Sequence, residues 1–170
     1  ISELNGEIPN PHPDPSKPEN VKDLIKTVLK KQLDIGLAFD GDADRLGVIS
    51  PAGEMIFPDM QMILFSEHIL KKNPNSKIVF DVKCSKLLEE AIVRSKGVPI
   101  MSKTGHTFIK SMIRENGAIL GGEMSGHIFF NDRWPGFDDG VYAGARMLEI
   151  LSNFEDEDIF KTLPKLVSTP

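Results

Sequence analysis

The sequence predicts an α/β fold with a mixed, mainly parallel sheet and βαβ crossovers. Three observations carry this expectation. From Pro58 to Gly122, apolar runs of strand length alternate with stretches of helical periodicity. Strands that alternate with helices imply right-handed crossovers and a sheet covered by helices. The helical stretches begin and end at punctuation residues, with Asp59 and Ser85 at starts and Asn73-Pro74-Asn75, Gly97 and Gly117 at ends. Upstream, two short apolar runs flank Asp40-Gly41-Asp42-Ala43-Asp44, which reads as a strand–loop–strand unit.

Residues 1–18 carry Pro9, Pro11, Pro13, Pro15 and Pro18 and read as an exposed connecting loop, because proline suits neither a helix interior nor a central strand. His12 and Asp14 read as ordinary members of that loop. Val21, Leu24, Ile25, Val28, Leu29 and Leu33 share one helical face, which predicts a helix over 19–33. Lys30 and Lys31 suit its C-terminal end. Strands follow at 35–39 and 46–49, with Gly41 as the residue that lets the acidic turn bend. A turn at Gly53 leads to an extended piece at 54–57. Asp59 then caps a helix reaching Lys72, whose Met60, Met62, Ile63, Leu64, Phe65, Ile69 and Leu70 read as core. A buried strand at 78–82 precedes a helix capped by Ser85, with Leu87, Leu88, Ala91 and Ile92 turned inward. The spacing predicts a strand at 98–101, a helix at 107–116, a strand at 118–120, an extended piece at 127–130 and a last helix at 138–151. An acidic and then apolar stretch closes the chain.

The 170 residues are ample for one domain and short for two full ones. A net charge of -5 argues against nucleic acid or an acidic membrane as the main partner. The single Cys84 excludes an internal disulfide framework and fits a reducing compartment. No apolar run approaches the roughly eighteen residues that a membrane-spanning helix needs. The chain begins at Ile1 without Met and ends at Thr169-Pro170, which reads as a piece of a longer protein.

The chemistry concentrates in two stretches. Asp40, Asp42 and Asp44 place three carboxylates at alternate positions of one tight turn. Their mutual repulsion is relieved by a divalent cation, and oxygen-only ligands favour a hard ion such as Mg²⁺ or Ca²⁺. A solvated acidic turn is the bland alternative. An EF-hand loop is excluded, because its glycine and glutamate positions hold Arg45 and Pro51. Arg45 directly after the third aspartate suits a phosphate group held by both cation and guanidinium. The second stretch lies at the carboxyl ends of the predicted strands, where α/β sheets gather ligand groups. Lys83 follows one strand; Lys103, Thr104, Gly105 and His106 follow the next; Glu123 to His127 follow the third. Cys84 lies beside Lys83, a neighbour that lowers a thiol pKa, yet no base stands ready to make it a nucleophile. Arg133, Trp134 and Phe137 form a loop that either covers a ligand or packs.

Phe39-Asp40-Gly41-Asp42-Ala43-Asp44-Arg45 resembles the metal-binding loop of the α-D-phosphohexomutases. Gly122-Glu123-Met124-Ser125-Gly126-His127 is similar to their sugar-recognition loop, and Met124 is the spelling of the bacterial phosphomannomutase/phosphoglucomutase branch. Ala43 stands where many members have Gly. The resemblance implies a phosphohexomutase-type domain over 54–170, preceded at 1–53 by the C-terminal part of a similar domain that carries the metal loop. It implies interconversion of hexose 1- and 6-phosphates, of mannose and glucose, through a phosphoserine and a bisphosphorylated sugar. Asp40, Asp42 and Asp44 would hold one Mg²⁺, completed by a phosphoserine outside this chain. A glucose 1,6-bisphosphate-type molecule would serve as activator and intermediate. Lys83, His106, Glu123, Met124, Ser125, Gly126 and His127 would bind substrate, and Arg45, His106 and His127 would assist catalysis. No Thr-Ala-Ser-His-type loop and no Arg-x-Ser-x-Thr-type loop occurs in the sequence. The nucleophile and a further phosphate site are therefore expected in other domains of the same polypeptide, and the isolated chain is expected to be inactive. A phosphoglucosamine mutase and a non-catalytic sugar-phosphate-binding module are the alternatives. The resemblance also implies a cytoplasmic supplier of sugar 1-phosphates for nucleotide sugars and surface polysaccharide.

Overall fold

Strand β4 (Lys77–Asp81) sets the architecture, because its side chains alternate between two cores. Ile78 and Phe80 enter the larger one, with Phe65, Leu88, Ile92 and Phe130. Val79 enters the smaller one, with Ile109, Ile113 and Phe129. The computed structural model describes residues 14–154 and 158–164. The prolines before residue 14, His12 and the end of the chain lie outside the described residues.

In chain order, a 3-10 turn (Pro18–Asn20) leads into α1 (Lys22–Lys31), β1 (Gly36–Phe39), β2 (Leu46–Ile49) and β3 (Met55–Ile56). Then come α2 (Pro58–Lys72), β4, α3 (Lys86–Arg94), β5 (Val98–Ser102), α4 (His106–Asn116), β6 (Leu120–Gly122), β7 (Ile128–Phe130) and α5 (Gly140–Leu151), with a 3-10 turn at Ile159–Thr162. Strands β1, β2 and β3 form an antiparallel meander. The second sheet has the order β5-β4-β6-β7, with β4 parallel to both β5 and β6 and β7 antiparallel to β6. The expected mixed, mainly parallel sheet is therefore present.

The two sheets share one core. Leu46 and Val48 of β2 pack with Met62, Ile63 and Phe65 of α2 and with Ala143 and Met147 of α5. Val21 and Val28 cover the other side of the meander at Ile49. Both the meander and the main core thus run across residue 53.

Four details depart from the sequence reading. The first helix starts at Lys22, because Pro18 opens a separate 3-10 turn. Helix α2 begins with Pro58 in its first turn, where a missing N–H costs nothing. Asp59 does not cap it. Its buried carboxylate accepts hydrogen bonds from the Met60 amide at 2.9 Å and, across to the start of α3, from the Ser85 amide at 3.1 Å. Burial, with Asp81 nearby, pushes the Asp59 carboxyl above its usual range. Third, β6 runs through Gly121 and Gly122 instead of ending before them. A Cβ on Gly121 would lie 2.7 Å from Ile113, and one on Gly122 would lie 2.4 Å from the Met62 sulfur. The strand is squeezed between two helices and needs residues without side chains there. Fourth, the left-handed backbone of the acidic turn falls on Ala43 (φ 59°) and not on Gly41. Ser85 does cap α3, accepting from the Leu87 amide at 3.0 Å, as its position predicts.

Candidate functional site

The acidic turn between β1 and β2 brings Asp40, Asp42 and Asp44 together, one carboxylate oxygen from each lying within 4.8 Å of the others. Asp40 is buried, Asp44 half-buried and Asp42 exposed. Arg45 folds back on the same turn. Its amide donates to Asp40 Oδ1 at 3.2 Å and its Nε donates to Asp40 Oδ2. Burial works against the ionised Asp40, yet these bonds hold its carboxyl below the usual range. Asp44 moves the other way. Burial raises it most, His127 pulls it down, and the neighbouring Asp40 and Asp42 push it up again. Oδ1 of Asp44 is buried without a hydrogen-bond donor. Arg45 therefore pairs closely with Asp40 and reaches Asp44 Oδ1 only at 3.8 Å, without a hydrogen bond. The three-carboxylate set with one orphaned oxygen fits a hard divalent cation.

The glycine-bordered stretch after β6 packs directly against this turn. The Leu46 amide donates to the Gly126 carbonyl at 3.1 Å, and Arg45 and His127 form an isolated antiparallel bridge. Within the stretch, the Gly126 amide donates to the Glu123 carbonyl and the Glu123 amide to the His127 carbonyl, each at 3.0 Å. A two-faced loop results, closed by its own backbone.

Parallel strand pairing places the carboxyl ends of β4, β5 and β6 side by side, and two buried carboxylates tie those ends together. Asp81, the last residue of β4, is fully buried. It accepts from the Cys84 thiol at 3.2 Å, from Thr104 Oγ1 at 3.1 Å and from the Met124 amide at 3.4 Å. Glu123 is also buried, and its Oε1 accepts from the Gly105 amide at the start of α4. That helix start offers its amide to an anion, and the anion is Glu123 of the same chain. Lys83 and Lys103 are exposed at the ends of β4 and β5, and Lys103 lies over the Phe108 ring. Ser125 and Met124 are half-buried.

His127 lies with its ring near-parallel to those of His106 (5.8 Å between centroids) and Phe129 (6.4 Å). Its Nδ1 is 3.1 Å from Asp138 Oδ2 and 3.6 Å from Asp44 Oδ2. His106 is exposed, with Nδ1 3.9 Å from the same Asp138 oxygen. The structure thus unites Arg45, His106, His127 and the three aspartates around one corner of the molecule. Glu123 to Gly126 form the adjoining edge, and the exposed lysines form the rim.

Three residues escaped the sequence reading. Asp14, read as loop, lies 3.6 Å from Arg45 Nη1. Asp81 and Asp138, read only as part of a strand and of a helix start, turn out to organise the rim. The doublet Asp138-Asp139 held a signal for one of them. Asp139 caps α5 by accepting from the Tyr142 amide at 2.8 Å, which leaves the preceding carboxylate for other partners. Cys84 corrects an expectation: burial and the hydrogen bond to Asp81 push its thiol pKa up, so Lys83 does not activate it. Trp134 stacks on Tyr142 at 4.4 Å and Arg133 pairs with Glu149, so both hold their loop onto α5.

Fold and site together define an α/β domain that sets a three-carboxylate loop against a polar, glycine-bordered rim. The chain matches the family model described as "Phosphoglucomutase/phosphomannomutase, alpha/beta/alpha domain III" over residues 57–169, and the corresponding domain II model over residues 2–53. It is therefore a member of the phosphoglucomutase/phosphomannomutase family. It is 54% identical to a phosphoglucomutase of Neisseria gonorrhoeae over 99% of this chain and 37% of that one. It is 51% identical to a phosphomannomutase/phosphoglucomutase of Pseudomonas aeruginosa, with the same two coverages. A solved structure of a family protein from Burkholderia thailandensis superposes with a TM-score of 0.93 at 50% identity, covering 99% of this chain and 37% of that one. The chain spans 37% of the length of these relatives.

Proposed function

We propose that the full-length parent of this chain is a phosphohexomutase acting on glucose and mannose phosphates. It would interconvert hexose 1-phosphate and hexose 6-phosphate through a phosphoserine outside residues 1–170 and a bisphosphorylated sugar. One observation carries this reading: the carboxylate loop and the glycine-bordered loop are joined backbone to backbone through Leu46 and Gly126. A cation site and a polyol-reading edge are thereby held in one fixed relation, which transfer of a phosphoryl group to a sugar needs. The names of the similar proteins support the same reaction and both sugars.

Asp40, Asp42 and Asp44 would hold one Mg²⁺. The bound ion supplies charge neutralisation for phosphate oxygens. Arg45, pinned by Asp40, presents a second positive group whose position is fixed. Glu123, with one oxygen committed to the Gly105 amide, offers the other to a sugar hydroxyl beside Ser125 Oγ. Met124 and Gly126 contribute through backbone, since their amides fix the loop on Asp81 and Glu123. Lys83, exposed at the end of β4, suits a phosphate as a point charge. His127 turns Nδ1 to carboxylates and leaves Nε2 to exchange a proton with a sugar hydroxyl, with His106 beside it. These contacts leave the 2-hydroxyl loosely read, which accounts for the use of two epimers.

The same reading assigns residues 1–53 to the end of one domain and 54–170 to the next. The remaining domains of the polypeptide supply the phosphoserine and a second phosphate site, and a glucose 1,6-bisphosphate-type molecule acts as activator. The setting is the cytoplasm; no helix among the described residues is long and apolar enough to cross a membrane. A coupled mutase assay with Mg²⁺ and mannose 1-phosphate or glucose 1-phosphate tests the reading on the parent and on the 170-residue chain. Turnover by the parent alone is expected. Silence of the parent would overturn the proposal, and turnover by the shorter chain would overturn the external nucleophile.

A further inference from the structure

The carboxylate of Asp138 is almost fully buried and serves three cationic or protonatable groups on two elements. Oδ1 accepts from Lys110 Nζ at 3.0 Å, and Oδ2 lies 3.1 Å from His127 Nδ1 and 3.9 Å from His106 Nδ1. Its own backbone is fixed on both sides. Asp138 bridges to Phe129, and the next residue, Asp139, caps α5. Lys110 in turn lies over the Phe129 ring, whose plane runs near-parallel to that of His127. Nδ1 of His127 is buried and makes no hydrogen bond in this structure, and Asp138 Oδ2 at 3.1 Å is the nearer of the two carboxylates that face it, so a small turn of the ring between its two near-parallel neighbours lets Nδ1–H donate there.

We infer that Asp138 is a positioning residue for His127, the carboxylate that fixes which edge of the imidazole faces the cation loop and which faces ligand. The use made of the ring rests on the mutase reading; the orientation itself does not. A histidine whose Nδ1–H is held by a carboxylate presents Nε2 in a defined direction and tautomer. Asp44, 3.6 Å from the same nitrogen, is the other carboxylate facing it. Asp44 belongs to the cation loop, so Asp138 is the partner that keeps the ring in place when those charges are drawn to an ion. Lys110 holds Asp138 in its ionised, accepting state.

The test uses the full-length protein, with Asp138→Asn, Asp138→Glu, His127→Gln and the Asp138→Asn/His127→Gln pair. Imidazole nitrogen NMR of the wild type is expected to show His127 in a single tautomer protonated at Nδ1, and Asp138→Asn is expected to lose that preference. Removing a carboxylate that orients a functional histidine is expected to lower kcat by about ten- to a hundredfold with KM within about threefold. Asp138→Glu should restore part of kcat. In the His127→Gln background Asp138→Asn should change kcat by less than about twofold, because the two residues act as a unit. An unchanged His127 spectrum in Asp138→Asn overturns the inference, as do losses that multiply in the double variant. Should the wild type show no mutase activity, the functional reading falls and the spectrum alone decides the positioning role.

Discussion

The amide of Gly140 donates to the carbonyl of Ala43 at 2.9 Å, so the start of α5 rests on the three-carboxylate loop. A Cβ at position 140 would lie 2.7 Å from the Arg45 carbonyl oxygen and 2.8 Å from that of Ala43. Both obstacles are backbone and cannot swing aside. Gly140→Ala is therefore expected to push the loop off its seat, destabilising the protein by about 1–3 kcal/mol as overpacking does. Mg²⁺ affinity should weaken with it. Thermal unfolding and titration calorimetry with Mg²⁺ check the two effects together; unaltered binding would mean that the loop does not depend on α5.

Ala43 carries a left-handed backbone with φ 59° inside that same loop. The left-handed region costs an L-residue roughly 1–2 kcal/mol, while glycine adds about 0.5–1 kcal/mol of unfolded-state entropy. The difference favours Ala43→Gly by about 0–1.5 kcal/mol. A small rise in Tm with Mg²⁺ affinity kept is the expected outcome. A fall in Tm would show that the Ala43 methyl packs more favourably than its backbone is strained.

Much of this molecule was legible in its sequence because local signals agreed with the fold. Ser85 caps α3, Gly117 closes α4, and alternate residues of β4 face opposite cores. The acidic turn with Arg45 was equally plain, since three carboxylates at alternate positions have few structural uses. What stayed hidden depended on distance in the chain. Asp81 meets Met124 and Asp138 meets Lys110, partners 43 and 28 residues away, and no local pattern reports such pairings. Gly121 and Gly122 misled for a related reason. They look like a loop, but their lack of side chains answers Ile113 and Met62, which arrive from separate helices.

Away from the site, Arg146 on α5 forms a two-point pair with Asp132, at 2.8 and 2.9 Å, and lies over the Phe130 ring. Both partners are nearly inaccessible, with side-chain exposures of 5% and 11%. Burial alone would raise the Asp132 carboxyl, yet the Arg146 hydrogen bonds and charge hold it below its usual value of 3.8. A carboxylate with a depressed folded pKa stabilises fully above the unfolded value and loses that contribution as pH falls through the folded value. Asp132→Asn removes the two-point partner and leaves Arg146 with Glu149, whose Oε2 lies 3.2 Å from Nε, so it should cost about 1–3 kcal/mol near pH 7. The gap from wild type should narrow below about pH 4, where the unfolded carboxyl protonates. Denaturant unfolding from pH 7 to pH 3 measures it; a gap constant across that range would assign the stability to packing instead of charge.

Glu123 separates architecture from recognition. Its Oε1 accepts from the half-buried Gly105 amide, while its second oxygen is the one the mutase reading assigns to sugar. Glu123→Ala leaves that amide without an acceptor and should cost about 1–3 kcal/mol of stability as well as substrate binding. Glu123→Gln keeps a carbonyl oxygen for Gly105, so its Tm should stay close to wild type. The amide nitrogen that replaces the second oxygen can only donate, so a sugar hydroxyl loses a charged acceptor. Loss of a charge-assisted bond of about 1.5–3 kcal/mol corresponds to a fall in kcat/KM of roughly ten- to a hundredfold. Unfolding curves and hexose 1-phosphate kinetics on the full-length variants separate the two contributions. Wild-type kcat/KM in Glu123→Gln would confine Glu123 to holding α4, and the sugar contact would then have to come from Ser125.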